Sequence, residues 1–139
     1  MTINALLKMW LENEHSFLDE NDYVAYYLYP LFLEIFFKEN VILDLAAAKQ
    51  IVDDRIKIQE GMDYLVLCHT DGVRYSDKPA RDHLSSYGTH YLKAVAFVSS
   101  FDFSRNILDN YLINLNSDVP CAVFTTRERA LEFLLSYSS

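Results

Sequence analysis

Hydrophobic positions along this chain follow two spacings, one helical and one of short apolar runs. In "INALLKMWLENEHSF" (3–17), Ile3, Leu6, Leu7, Trp10 and Leu11 share one helical face, which predicts a helix that the acidic "LDEND" (18–22) ends. Two runs rich in strand-favouring residues follow, "YVAYYLY" (23–29) and "LFLEIFF" (31–37). Pro30 separates them and cannot donate to a ladder, so a tightly connected antiparallel pair is expected. The stretch "DLAAAKQIVDDRIKIQEG" (44–61) returns to helical spacing, with Ala48, Ile51, Val52 and Ile56 as its stripe. Asp44 is a suitable N-cap, and Gly61 stands where a left-handed residue would end the helix.

"YLVLC" (64–68) is a continuous apolar run, the pattern of a strand buried on both faces. A helix is predicted near 78–87, with Gly88 as its stop, and "KAVAFV" (93–98) as the next strand. "FSRNILDNYLINL" (103–115) carries Phe103, Ile107, Leu108, Tyr111, Leu112 and Leu115 at helical spacing behind Asp102. Pro120 introduces another apolar strand expected to be buried, "CAVFT" (121–125). Thr125 and Glu128 have the spacing of a capping box, and the helix they open carries Ala130, Leu131, Leu134 and Leu135. Strands alternating with helices imply right-handed parallel crossovers. The expected fold is therefore α/β, a mixed five-stranded sheet whose first strand is antiparallel and whose last four are parallel. The domain would span 21–139, with 1–20 as a helical extension.

Composition narrows the class. The 139 residues suit one domain, and 51% hydrophobic residues can build a core. Gly and Pro, three of each, are too few for a loop-rich fold. The net charge of −8 comes with no Lys/Arg cluster, which argues against nucleic acid and anionic membranes as partners. No apolar run is long enough to span a bilayer, and Met1 is not followed by a basic leader, so a cytoplasmic protein without a transmembrane segment is expected. The two cysteines, Cys68 and Cys121, each lie in an apolar run and read as buried, reduced residues. They offer no four-ligand zinc pattern, His83 and His90 are only a weak metal signal, and no cofactor or metal is expected.

Four stretches carry a resemblance: "LFLEIFFKENVILDLAAAKQIVDDR", "GVRYSDKPARDHLSS", "AVAFVSSFDFSRNILDNYLINLN" and "VPCAVFTTRERALEFL". In order and spacing they resemble the STAS fold of sulfate transporters and anti-sigma factor antagonists. More closely they resemble the small stand-alone bacterial STAS-like (SpoIIAA-like) proteins, over roughly residues 22–137. The resemblance implies a module that works by protein–protein contact in signalling. In anti-sigma factor antagonists a partner kinase phosphorylates a serine just after an aspartate, at the start of a helix. Here the aspartate of that motif falls on Asp77 and the serine on Lys78, which cannot accept that phosphate. The usual switch is therefore expected to be absent. Ser76 or Asp77 would cap the helix, with Pro79 in its first turn. A displaced switch on Ser76, or a binding role for Asp77 or Lys78, are the alternatives.

In open sheets of this kind ligands bind beyond the carboxyl ends of the strands. That edge would carry Lys38, Asn40, His69, Asp71, Ser99, Ser100, Thr125 and Thr126, which also read as ordinary loop and cap residues. His69 and Asp71 could form an acid/base pair, although no nucleophile, G-x-S-x-G, P-loop or dinucleotide fingerprint accompanies them. The Tyr/Phe stripe of 23–37 reads as core, or as the lining of an apolar pocket like those of the related-looking CRAL-TRIO lipid carriers. Three functions follow in order: a non-enzymatic interaction or signalling module, a binder of a small apolar or lipid-like ligand, and a small enzyme using His69 and Asp71. The apolar face of the N-terminal segment adds a possible homodimer.

Overall fold

The computed structural model describes residues 17–100 and 118–138. The expected helices within 3–17 and 103–115 therefore lie outside the described residues, except that Phe17 belongs to a strand. Strands β1 (Phe17–Glu20), β2 (Val24–Leu28) and β3 (Phe32–Phe37) form an antiparallel meander. Then come β4 (Val41–Leu43), helix α1 (Leu45–Gln59), β5 (Tyr64–His69), β6 (Val73–Ser76) and α2 (Lys78–Ser85). A 3₁₀ turn at Tyr87–Thr89, β7 (Leu92–Val98), β8 (Cys121–Phe124) and α3 (Arg127–Leu135) complete the order. The main sheet runs β1-β2-β3-β5-β7-β8, and the last four of these strands are parallel, as their apolar runs predict.

Three features differ from the sequence reading. The sheet has six strands among the described residues, because the acidic stretch after Phe17 pairs with β2 as an edge strand. A second sheet pairs β4 with β6, two short parallel segments of three and four residues. Finally β8 is an edge strand among the described residues, so all four of its residues, Cys121 included, are half-buried rather than buried.

The strands alternate between two cores. Phe32, Leu65, Leu67, Ala94 and Ala96 face α3, where Ala130, Leu131, Leu134 and Leu135 cover them. Leu33, Ile35, Val66, Cys68 and Val95 face the other way, toward Ala47, Ala48 and Ile51 of α1 and Ala80 of α2. Cys68 and Cys121 are free thiols on strands that β7 separates.

Caps explain the helix ends. Asp44 accepts from the Ala47 amide and Asp77 from the Ala80 amide, each at 2.9 Å. The third cap is Thr126, one residue beyond the expected Thr125, accepting from the Arg129 amide. Ser86 rather than Gly88 ends α2, and Gly88 lies buried inside the 3₁₀ turn. Helix α1 buries Arg55 and Gln59 along with its expected stripe, while Ile56 is only half-buried. Both polar residues have partners: Arg55 donates to the carbonyls of Gly88 and His90, and Gln59 to those of Met62 and Tyr91. Tyr91, whose carbonyl accepts from Gln59, takes a left-handed conformation, φ 61°. No helix among the described residues is long and apolar enough to cross a membrane.

Candidate functional site

The carboxyl ends of the parallel strands carry two polar groupings and, on the α1/α2 side, an apolar cavity. On the α3 side, Glu34 points from the middle of β3 and is 2% exposed. Arg127, the first residue of α3, donates Nε–H to Glu34 Oε2 at 2.7 Å and Nη2–H to Oε1 at 2.9 Å. His69, at the end of β5, donates Nε2–H to the same Oε2 at 2.7 Å. Its ring lies flat on Phe36, with centroids 4.0 Å apart and planes 3° from parallel. Burial raises the Glu34 carboxyl, but the hydrogen bonds and charges of His69 and Arg127 outweigh it and hold the group below its ordinary range. The same pairing raises the Arg127 guanidinium, and burial with the Glu34 charge raises the Tyr29 phenol.

The structure thus gives His69 a different partner from the one expected. His69 bonds to Glu34, whereas Asp71 turns to Ser100, accepting its backbone amide at 2.9 Å and its hydroxyl. Ser99 is fully buried, and its amide donates to the Phe124 carbonyl. Thr125 is exposed and Thr126 is the α3 cap. Lys38 pairs with Glu20, and Asn40 takes a left-handed turn at φ 60°. The expected ligand edge therefore separates into a Glu34–His69–Arg127 cluster, an Asp71–Ser100 clasp and a helix cap. Sequence reasoning missed Glu34 and Arg127. The signal for Glu34 was present: a single acid inside the apolar run "LFLEIFF" needs a buried partner.

At the start of α2, Asp77 is occupied as the cap and Lys78 pairs with Asp82 at 2.7 Å on the surface. Ser76 is buried; its carbonyl and its Oγ both accept from Arg81 Nη1, at 2.6 and 3.1 Å. Among the described residues, His83 and His90 do not join the cluster around His69. His83 and His90 each pack against the ring of Tyr87, and no cluster of three or more metal-ligating side chains occurs among the described residues.

The cavity lies on the α1/α2 side of the sheet, is partly open, and has a volume of about 120 Å³. Ile35, Val66, Cys68 and Val95 form its floor, and Ile51, Val52 and Leu84 line it from the two helices. Burial pushes the Cys68 thiol up to about 12, so it stays protonated and serves as one more apolar wall. The polar lining is sparse: Thr70, Ser76, Arg81 and Arg55. The aromatic stripe of 23–37 contributes Phe37, while Tyr26 and Phe32 are buried in the core.

Comparison with known proteins agrees with this architecture. A crystal structure of an uncharacterized protein of the DUF3478 family from Shewanella loihica PV-4, described as having a SpoIIAA-like fold, superposes with a TM-score of 0.56 at 11% identity. The match covers 85% of this chain and 90% of that one, and it establishes the SpoIIAA-like fold. No match is found among curated proteins. Residues 31–138 match DUF7793, a domain of unknown function, and the chain belongs to that family.

Proposed function

We propose that this chain is a non-enzymatic binding module of the SpoIIAA-like fold, and that the element that binds is the apolar cavity between the sheet and helices α1 and α2. One observation carries the reading: the walls of this cavity, of about 120 Å³, are apolar with a few polar groups, the composition that small-ligand sites have. The expected acid/base pair of His69 with Asp71 gains no support, since His69 bonds to Glu34 and Asp71 to Ser100. Native mass spectrometry of protein taken from its own cells tests the proposal. The expected result is a bound small organic mass that departs on denaturation. Protein of bare chain mass, under conditions that keep a reference complex intact, would count against it.

A second reading, contact with a partner protein in cytoplasmic signalling, rests on Ile42 and Tyr75. These are register partners in the β4–β6 pair and are 47% and 56% exposed, just before α2. Proteins retained by the wild type and lost by the Ile42→Asp, Tyr75→Asp double variant would favour it. A second copy of the chain is one candidate partner. Sedimentation of the intact protein as a monomer would remove that candidate.

A further inference from the structure

Arg81 sets the chemistry of the cavity's occupant. Its side chain lines the cavity, and Nη1 donates to the Ser76 carbonyl and hydroxyl. Among the described residues no carboxylate lies within ion-pair distance of it. Nε and Nη2 have no acceptor among the described residues, which leaves that edge of the guanidinium available at the wall of the cavity. Arg127 is the contrasting case: its two-pronged donor edge is filled by Glu34. A half-buried guanidinium edge matches a planar carboxylate in two-pronged geometry. Ser76 adds a hydroxyl hydrogen in the same corner, because its oxygen is already an acceptor.

Size sets the rest of the occupant. A cavity of ~150 Å³ lined by Leu, Ile and Phe takes benzene, so one of about 120 Å³ suits a ring or a branched chain of roughly six carbons. We propose that the cavity binds a small apolar carboxylate of benzoate size, its body among Val66, Val95 and Ile51 and its carboxylate on Arg81. This rests on the cavity reading above and specifies the ligand class of the same site.

Titration calorimetry on the full chain with benzoate, and with benzyl alcohol as a neutral probe of similar shape, tests it. The wild type is expected to bind benzoate at least tenfold more tightly than benzyl alcohol. Arg81→Gln is expected to lose that preference. The benzoate preference should also shrink as salt is added. Benzyl alcohol bound as tightly as benzoate by the wild type would overturn the carboxylate inference and leave the apolar cavity standing. Unchanged benzoate affinity in Arg81→Gln would do the same. Failure of both probes to bind the wild type would overturn the inference and the cavity reading together. The wild-type comparison decides the matter even if Arg81→Gln does not fold.

Discussion

Arg127 closes on both oxygens of Glu34 across 93 positions of chain, Nε at 2.7 Å and Nη2 at 2.9 Å. The pair ties the first residue of the last helix to the middle of β3, and His69 joins it from β5. Removing one partner of such a pair leaves a buried charge without its counter-ion. A fully buried pair loses ~3–5 kcal/mol in this way. Arg127 is 31% exposed, so water screens part of the loss. Arg127→Ala is expected to cost about 2–3 kcal/mol in urea unfolding. Replacing both residues together, Glu34→Leu with Arg127→Met, should cost less than that single change.

The same carboxyl gives acid sensitivity with a definite sign. The folded Glu34 titrates below its unfolded range, so the folded state favours the ionised form. Its contribution is complete above the unfolded pKa, near ~4.3, and fades as pH falls through the lower folded value. Glu34→Gln should therefore be less stable than the wild type at neutral pH. The two urea midpoints should converge as pH drops below about 4. A constant gap down to low pH would place the acid response elsewhere.

Two glycines should respond differently to alanine. At Gly72 an added Cβ would sit 2.0 Å from the Lys38 carbonyl oxygen and 2.7 Å from that of Phe37, both backbone atoms. Gly72→Ala must displace the turn after β5 from the β3–β4 connection, and a loss of about 3 kcal/mol or more is expected. At Gly61, φ is 74° and nothing lies within 4 Å of the added atom. Gly61→Ala should cost only ~1 kcal/mol, from the left-handed backbone alone. Thermal unfolding of the two variants checks the contrast.

Phosphate transfer at the start of α2 should fail. By the resemblance to anti-sigma factor antagonists, the switch serine would fall on Lys78, and the Ser76 hydroxyl is buried against Arg81. Incubation with a kinase of the anti-sigma type is expected to leave the intact mass unchanged. Stoichiometric phosphate on Ser76 would revive the switch.

The central parallel strands β5 and β7 were legible because burial on both faces demands unbroken apolar runs, as in "YLVLC" and "KAVAFV". The β4–β6 pair was not, because three or four residues carry no measurable period. The edge strand β1 was hidden by its own acidity, since an edge can face water where a central strand cannot. Thr125 and Thr126 stand side by side, so spacing alone misplaced the cap by one residue. In the site, His69 was visible as a histidine at a strand end. Its partner Glu34 read only as part of a strand, and Arg127 had no local signal for a contact so distant in sequence. A cavity has no sequence signature at all: it is the space left where Ile51, Val52 and Leu84 do not fill the floor of Val66 and Val95.

The most direct test of the binding account is methyl-resolved NMR of the full chain titrated with benzyl alcohol. The account predicts saturable shifts centred on the methyls of Ile35, Ile51, Val52, Val66, Leu84 and Val95, with the α3-facing methyls of Leu65, Leu131 and Leu134 unmoved. Shifts spread over both faces, or none up to the solubility limit of the probe, would contradict it.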